Sequence, residues 1–381
     1  MRIIIAPDSY KGSLSALAVA EAMERGVLAV WQDAEVLKIP IADGGEGTVA
    51  ALVTATGGEM ITQEVTGPLG DKVVAAWGIL GDGETAVIEM AAASGLTLIP
   101  KERCNPLLTT TFGTGELIAA ALDRQLRKLI IGIGGSATND GGAGMAQALG
   151  VKFLDAAGAE LPWGGKALAA LAAVDLRRLD PRLRETSILV ACDVDNPLCG
   201  PNGASAVYGP QKGATPDMIR QLDAALGHYA AITRAATGRD IAGCAGAGAA
   251  GGLGAGMLFF TNAQLKPGVE IVLAAAGFAR LAATADLIIT GEGNTDYQTA
   301  FGKAPVGVAK MAAQYPAPVV CLSGGLGSGH EAVLAQGVSG LMSIVPKPMP
   351  LAECINDAAG LVETAAARLC RLLDIGRRIG P

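Results

Sequence analysis

A cluster of polar side chains follows the apolar run ADLII, whose composition is typical of a buried strand. The segment TGEGNTDYQTAFGKAP (290–305) comes next and carries Glu292, Asp296, Gln298, Thr299 and Lys303 among glycines. Carboxylates, an amide and an amine at the end of one strand are suited to binding a charged ligand or a metal ion.

Three other segments combine charged residues with glycines and small hydroxyls: APDSYKG (6–12), ADGGEGT (42–48) and GPQKGAT (209–215). Lys11, Lys212 and Lys303 are cations that can neutralise a carboxylate or a transferring phosphoryl group. A solvated surface lysine is the alternative interpretation for each of them. The candidate binding residues of these segments are Asp8, Ser9, Asp43, Gly44, Gly45, Glu46, Gln211 and Lys212.

The segment GGSATNDGGAG (134–144) predicts an anion-binding loop. Successive glycines leave backbone N–H groups open to an anion, and the helix expected to follow adds further donors. Asp140 would repel a phosphate unless it holds a metal ion or begins the helix, and both possibilities stay open. The candidate ligand-binding residues are Gly134, Gly135, Ser136, Thr138 and Asp140.

A pair of aspartates, Asp193 and Asp195, lies in CDVDNP (192–197), directly after the apolar run TSILVAC. Their i, i+2 spacing places both carboxylates on one face of an extended segment. Two carboxylates there suit Mg²⁺, and one of them could instead accept the proton of a substrate hydroxyl. An ordinary Asx turn completed by Asn196 and Pro197 is the alternative.

All of these segments except GPQKGAT follow apolar runs, and several of them precede amphipathic stretches. RIIIA (2–6), for example, is followed by APDSYKG and then by ALAVAEAMERGVLAV. Near-continuous apolar strands that alternate with helices predict a parallel sheet covered on both faces. Ligands of such sheets bind beyond the carboxyl ends of the strands, so the polar segments are expected to form one site. Turn chemistry would explain any single segment, but not so many of the same character.

The length of 381 residues predicts two domains. The short runs KVVAAWGIL and TAVIEMA, separated by a DG turn, predict a β-hairpin after Gly67. We therefore expect an α/β fold in which residues 1–65 and 285–381 form a Rossmann-like parallel-sheet domain. Residues 66–284 are expected to form an inserted α/β domain with a mixed sheet. Helical structure is expected over 156–186 and from about Glu331.

Composition excludes several classes of protein. A net charge of −7 without any Lys/Arg block gives no support to nucleic-acid binding. Two histidines and seven scattered cysteines argue against zinc sites and histidine-based triads, and they indicate a reduced, cytoplasmic protein. The uncharged stretch 241–265 is rich in glycine and lacks aromatic or basic flanks, so we expect no membrane helix.

Paired acids, several lysines and glycine loops without a catalytic histidine favour phosphoryl transfer, in which positioning and charge neutralisation dominate. An NAD-dependent oxidoreductase is a weaker hypothesis, because GAGAAG (246–251) matches GxGxxG but follows no predicted strand. That stretch could equally face a phosphate or allow tight helix packing. A binding protein for small acids would explain two domains, but not the number of acids and lysines.

The motifs quoted above, together with FGTGELI (112–118), resemble those of the bacterial type-1 glycerate kinase family, most closely its glycerate 2-kinases. The matching segments span residues 6 to 305. The resemblance implies ATP-dependent phosphorylation of D-glycerate to 2-phospho-D-glycerate with Mg²⁺ in an interdomain cleft. It also implies a Rossmann-like domain that carries an inserted α/β domain.

The resemblance further implies catalytic roles for Asp193, Asp296, Lys303 and Lys11. Asp193 is the leading candidate for the general base or a Mg²⁺ ligand, and Asp195 and Glu292 are further candidate metal ligands. The chain departs from the family pattern at Asn294, where an Arg is usual, and at Tyr297, where a small residue is usual. Asn cannot clamp a carboxylate or phosphate as Arg does, so Lys303 or Lys11 takes that role or substrate affinity changes.

Overall fold

A computed structural model describes residues 1–41, 44–45 and 47–379. The chain forms two compact units. The first consists of Met1–Asp43, Thr54–Thr56 and Val269–Pro381, and the second of Gly44–Val53 and Gly57–Gly268. The predicted limits, 1–65, 66–284 and 285–381, differ from this division by up to about two elements at each boundary.

The strands of the described residues are β1 (Arg2–Pro7), β2 (Glu35–Lys38), β3 (Glu59–Thr66), β4 (Lys72–Ile79), β5 (Thr85–Glu89), β6 (Lys128–Gly132), β7 (Lys152–Leu154), β8 (Ala173–Asp175), β9 (Ser187–Ala191), β10 (Ala263–Lys266), β11 (Leu287–Thr295), β12 (Val319–Leu326) and β13 (Gly340–Ser343).

The helices are α1 (Ala16–Leu28), α2 (Thr48–Thr56), α3 (Ala91–Ser94), α4 (Phe112–Asp123), α5 (Ala143–Ala148), α6 (Ala204–Tyr208), α7 (Pro216–Thr237), α8 (Ala249–Phe260), α9 (Gly268–Ala275), α10 (Phe278–Ala282), α11 (Ala304–Ala312), α12 (Leu351–Asn356) and α13 (Ala358–Ile379).

The first unit contains a fully parallel sheet in the order β13-β12-β11-β1-β2. Its central strands are apolar on both faces, because helices cover both; Ile3, Ile4 and Ile5 of β1 are all 0% exposed. Helix α1 begins at Ser15, whose hydroxyl accepts the N–H of Ala18, and its apolar side packs with α13 on one face of this sheet. The predicted parallel sheet is confirmed.

The second unit contains a mixed sheet in the order β10-β9-β6-β5-β4-β3. Strands β5, β6, β9 and β10 are parallel, whereas β3, β4 and β5 pair antiparallel, as the predicted hairpin requires. Strand β3 belongs to this sheet because all eight of its residues pair with β4. The predicted inserted domain begins at residue 66, after most of this strand.

Two helix predictions were wrong in detail. Residues 156–186 contain only short 3₁₀ turns, at Gly165–Ala170 and Pro181–Glu185, beside the small strand β8. The segment from His330 to Gln336 is also a 3₁₀ turn rather than an α-helix. Glycines and prolines interrupt 156–186 too often for an α-helix to propagate, and Gly329 and Gly337, both with positive φ, lie on either side of the second segment. No helix of the described residues is long and apolar enough to cross a membrane.

Candidate active site

The sheet of the first unit reverses its strand order between β1 and β11. Counted within this unit, the order is 2-1-3-4-5, and sheets of this kind bind ligands beyond the carboxyl ends of the two strands at the reversal. Pro7 of β1 pairs with Gly291 of β11, and the N–H of Asp8 donates to the Gly291 carbonyl over 2.8 Å. The predicted residues Asp8 and Ser9 therefore lie at the reversal, next to the acidic end of β11.

Glu292 is buried at this point, with 6% of its surface exposed. Its Oε1 accepts hydrogen bonds from Thr299 Oγ1 at 2.5 Å and from Thr295 Oγ1 at 3.1 Å. Burial raises the pKa of the Glu292 carboxyl, while the hydrogen bond from Thr299 and the charge of Lys303 lower it. Glu292 and Thr299 thus hold the end of β11 to the turn that follows.

Asp296 organises that turn, which is a 3₁₀ turn from Tyr297 to Phe301. Its Oδ1 accepts the N–H of Gln298 at 2.9 Å, and its backbone N–H donates to Thr299 Oγ1 at 3.1 Å. Lys303 Nζ lies 3.8 Å from Asp296 Oδ1, and both side chains are partly open to solvent. The structure therefore brings together the predicted residues Glu292, Asp296, Gln298, Thr299 and Lys303.

Asn294, where the chain departs from the family pattern, also contacts Asp296. Its Nδ2 donates to Asp296 Oδ2 over 3.1 Å. The Asn side chain therefore orients the Asp296 carboxylate through a neutral hydrogen bond, and Lys303 is the cation beside that carboxylate.

In the second unit, two glycine-containing segments and the end of β9 converge at the carboxyl ends of the strands. The N–H of Gly134, after β6, donates to the Gly44 carbonyl over 3.2 Å. A Cβ on Gly132 would overlap the Gly44 carbonyl, and one on Gly44 would overlap Ala191, the last residue of β9. Gly44 also has a φ of +83°, which favours glycine. Asp43 and Glu46, predicted in the same segment, lie outside the described residues. Gly45 of that segment lies close to Gly134, because a Cβ on Gly134 would overlap the Gly45 Cα.

Lys212 joins the segment 209–215 to the glycine loop 134–138. Lys212 is 1% exposed, and its amine donates to Ser136 Oγ at 2.8 Å and to the Thr138 carbonyl at 2.6 Å. Burial lowers the pKa of the Lys212 amine to about 7, although the nearby Asp140 carboxylate opposes this. Lys212 therefore braces the loop from its buried side, whereas Gly135 on the loop and the predicted Gln211 are exposed.

Asp140 faces inward. Its Oδ2 accepts the N–H and the hydroxyl of Thr111, and its Oδ1 accepts the N–H of Gly142, at the start of α5. Burial raises the pKa of Asp140, and these hydrogen bonds lower it. These contacts agree with the alternative in which Asp140 begins the helix. A direct contact between Asp140 and a ligand stays a prediction.

Asp193 and Asp195 are exposed on the loop after β9. Asp193 Oδ1 accepts the N–H of Gly268, the first residue of α9, at 3.0 Å. Cys192 beside them is partly buried, and burial together with the two carboxylates raises the pKa of its thiol. The structure therefore gives Asp193 a fixed orientation and leaves its carboxylate at the surface.

Within the described residues, no group of three or more His, Cys, Asp or Glu side chains could hold a metal ion. Mg²⁺ commonly takes only one or two protein carboxylates and completes its shell with phosphates and water. The exposed oxygen ligands of Asp193 and Asp195 fit that donor set. Glu292 fits it less well, because one of its oxygens is already bound by two hydroxyls.

The GAGAAG segment has a packing role in this structure. A Cβ on Gly251 would overlap the Thr138 carbonyl, and one on Gly254 would overlap the Gly246 carbonyl. These glycines thus allow α8 to approach the loop that Lys212 braces. Tight helix packing, one of the three interpretations of this segment, agrees with these close approaches of its glycines.

Sequence reasoning missed several residues that hold the site. Glu89 ends β5, and its Oε1 accepts the N–H of Val49 at the start of α2. Ser323 Oγ lies 2.6 Å from Thr295 Oγ1, which in turn donates to Glu292. Glu89 follows the apolar run TAVI just as Asp193 follows TSILVAC, so the same pattern could have predicted it. The hydroxyls gave no signal, because buried threonines and serines resemble any others in the sequence.

Comparison with known proteins decides the family. The sequence profile of the Glycerate kinase family matches residues 3–374. The chain belongs to the glycerate kinase family. The resemblance inferred from the motifs is therefore confirmed, and the protein is a kinase of that family.

Relatives of known name support this assignment over nearly the whole chain. The chain is 54% identical to the glycerate kinase of Bacillus subtilis (strain 168), covering 99% of both sequences. It is 50% identical to the glycerate 2-kinase of Escherichia coli (strain K12), again covering 99% of both. A crystal structure described as a glycerate kinase 2 from Salmonella typhimurium LT2 matches with a TM-score of 0.90 and 50% identity over 99% of each chain. The predicted α/β fold class is confirmed.

Proposed function

We propose that this member of the glycerate kinase family is a cytoplasmic, ATP-dependent glycerate 2-kinase. It transfers the γ-phosphoryl group of ATP to the C2 hydroxyl of D-glycerate, which yields 2-phospho-D-glycerate, ADP and a proton. The observation that carries this proposal is the 50% identity over 99% of both chains to a protein named glycerate 2-kinase.

Lys303 has the surroundings of a phosphate-binding cation. It lies directly before α11, where no side chain caps the first N–H groups of the helix. A lysine at the positive end of a helix is unfavourable unless an anion lies nearby; the Asp296 carboxylate supplies one at 3.8 Å, and a phosphate or carboxylate of a ligand would add to it. Lys11, exposed after β1, is the second cation at the strand-order reversal.

Asp193 is the proposed general base. Its carboxylate is exposed enough to reach a substrate hydroxyl, and the N–H of Gly268 fixes its orientation. It accepts the proton of the C2 hydroxyl as that oxygen forms its bond to the γ-phosphorus. The bond from the γ-phosphorus to the β,γ-bridging oxygen breaks, and ADP keeps the electron pair.

Mg²⁺ would be held by Asp195, with Asp193 beside it, and would supply charge neutralisation across the phosphates of ATP. The glycine loop 134–138 would bind a phosphate or the carboxylate of glycerate through its backbone N–H groups. In this proposal the residues of the first and second units serve one reaction, and the interdomain cleft expected from the sequence is part of the proposal.

Proton-coupled phosphorus NMR of the reaction mixture tests the function and the position of transfer together. A phosphate on C2 couples to one carbon-bound proton and gives a doublet, whereas a phosphate on C3 couples to two and gives a triplet. We expect a doublet that depends on D-glycerate, ATP and Mg²⁺. A triplet would reassign the product, and ligand binding without any phosphate ester would favour the binding-protein hypothesis.

A further inference from the structure

Aromatic side chains are scarce in this protein and are almost all covered. The sequence has three Trp, five Tyr and six Phe. In the described part of the chain, the two most exposed aromatic side chains are Phe301, at 85%, and Tyr297, at 56%. Trp163, at 40%, comes next, and its ring is partly covered by that of Phe112 at 4.9 Å. Two uncovered rings in one five-residue turn are therefore unusual for this chain.

That turn is the one organised by Asp296, and it ends directly before Gly302 and Lys303. The start of its backbone is held by two hydrogen bonds. Asp296 Oδ1 accepts the N–H of Gln298, and the N–H of Tyr297 donates to the Ser328 carbonyl over 3.0 Å. Packing within the protein does not explain why these rings are exposed. A backbone that is already ordered lowers the entropic cost of binding a ligand against them.

The chemistry of the two proposed substrates, D-glycerate and ATP, indicates which of them would bind at this turn. D-glycerate is a small polar acid with no flat apolar face. The nucleotide has an aromatic base, whose faces stack on Phe and Tyr rings, and phosphates that match Lys303. A turn with aromatic rings at its ends and a lysine directly after it is therefore complementary to the nucleotide.

We propose that the turn Tyr297–Phe301 is the subsite for the base of the phosphoryl donor, with Phe301 as its main stacking residue and Lys303 beside the phosphates. This inference rests on the proposed function for the identity of the donor. It adds a base-binding role for Phe301 and Tyr297, which the motif resemblance did not supply.

Direct binding of ATP and of inorganic tripolyphosphate, measured by calorimetry without glycerate, tests the subsite. Phe301→Ala should weaken ATP binding by roughly 5- to 150-fold, the range of losses seen when an aromatic partner of a base is removed. Tripolyphosphate has no base, so its affinity should stay within about twofold. Phe301→Trp keeps a stacking face and should bind ATP nearly as well as the unaltered protein.

Leu372→Ala is the matched control, because Leu372 is also an exposed apolar residue of the first unit, at 60%, and lies on α13. It should leave both affinities unchanged. Steady-state kinetics of Phe301→Ala should show a raised KM for ATP with an unchanged KM for D-glycerate.

Three results would overturn the subsite: unchanged ATP affinity in Phe301→Ala, equal losses for ATP and tripolyphosphate, or a raised KM for glycerate alone. A dimer that dissociates in Phe301→Ala with unchanged ATP affinity would assign the rings to a second copy of the chain instead. Failure of the proposed function would give a different result from failure of the subsite. In that case the unaltered protein would bind ATP in the same stacking-dependent way without phosphorylating glycerate.

Discussion

The amine of Lys212 lies 2.8 Å from Ser136 Oγ, and it also donates to the Thr138 carbonyl at 2.6 Å. This contact joins two glycine-containing motifs that are 76 residues apart in the chain. Both acceptors are neutral, and the lysine is buried. A cation in such surroundings loses its hydration without gaining an ion pair, which makes its protonation sensitive to pH.

The stability of the protein should depend on pH through Lys212. The pKa of its amine is about 7 in the folded protein, against 10.5 for an ordinary lysine. Between these values the unfolded chain binds more protons than the folded chain, so the free energy of unfolding rises with pH, by at most about 1.4 kcal/mol per unit for one group. Lys212→Met should remove this rise. Urea unfolding at pH 7, 8 and 9 measures it, and parallel curves for the two proteins would contradict the prediction.

Ser136→Ala should destabilise the protein by about 1–3 kcal/mol, because it leaves the buried Lys212 amine without one of its acceptors. Thr138→Val is the matched control for stability. Thr138 Oγ1 is buried without a hydrogen-bond partner among the described residues, so its replacement by a methyl group loses no bond. Chemical denaturation compares the two variants, and equal losses would argue against a special role for the Lys212–Ser136 contact.

Gly132→Ala should lower both stability and activity. The added Cβ would overlap the Gly44 carbonyl, which also accepts the Gly134 N–H, so two of the converging segments must separate. Overpacking of this kind costs roughly 1–3 kcal/mol. Gly243→Ala, where a Cβ would meet nothing within 4 Å, should be nearly neutral. Thermal unfolding and kcat/KM of both variants test this prediction. If the close approach of the two segments has no role, the two variants will not differ.

Asp193→Asn should lower kcat by about 10²–10⁴-fold if Asp193 is the general base. The amide keeps an oxygen that can accept the Gly268 N–H, so thermal stability should change little. A Mg²⁺ titration of the same variant separates the two roles considered for this residue. A kcat near normal, with a raised Mg²⁺ requirement, would make Asp193 a metal ligand and not the base.

Thr299→Val should raise the pKa of Glu292 further, because it removes the 2.5 Å hydrogen bond that favours the carboxylate form. The loss of stability, about 1–3 kcal/mol, should therefore be larger at high pH, where Glu292 is ionised, than at acidic pH, where its protonation relieves the missing donor. Thr299→Ser keeps the hydroxyl and should restore most of the loss. A pH-independent loss would show that the threonine acts through packing or its bond to the Asp296 N–H, and not through Glu292.

Much of the fold was predictable because parallel strands covered on both faces are apolar along their whole length. RIIIA and ADLIIT showed this pattern, and both became strands of the first sheet. The limits of the units were harder to predict, because membership of a sheet depends on which strand lies alongside. Glu59–Thr66 was not predicted as a strand, and only its pairing with Lys72–Ile79 shows that it belongs to the second sheet.

The candidate site was predictable in its residue types and less so in their roles. Asp296 and Lys303 were candidates because they follow the apolar run ADLII among glycines, and they lie near each other in the structure. Lys212 and Asp140 were expected to contact ligand, yet their contacts in the structure are internal. Burial of a charged side chain depends on elements far away in the sequence, so local spacing could not indicate it.

The sequence by itself determined the family, the alternation of strands and helices, and the polar segments at the strand ends, because these follow from local composition and motif spacing. Only the tertiary structure decided which charges face solvent and which are enclosed. It buried Lys212 against two neutral oxygens, left Phe301 and Tyr297 uncovered, and paired Glu292 with threonine hydroxyls. The physical reason is that desolvation and hydrogen bonding arise from neighbours in space, and the chain brings those neighbours together only when it folds.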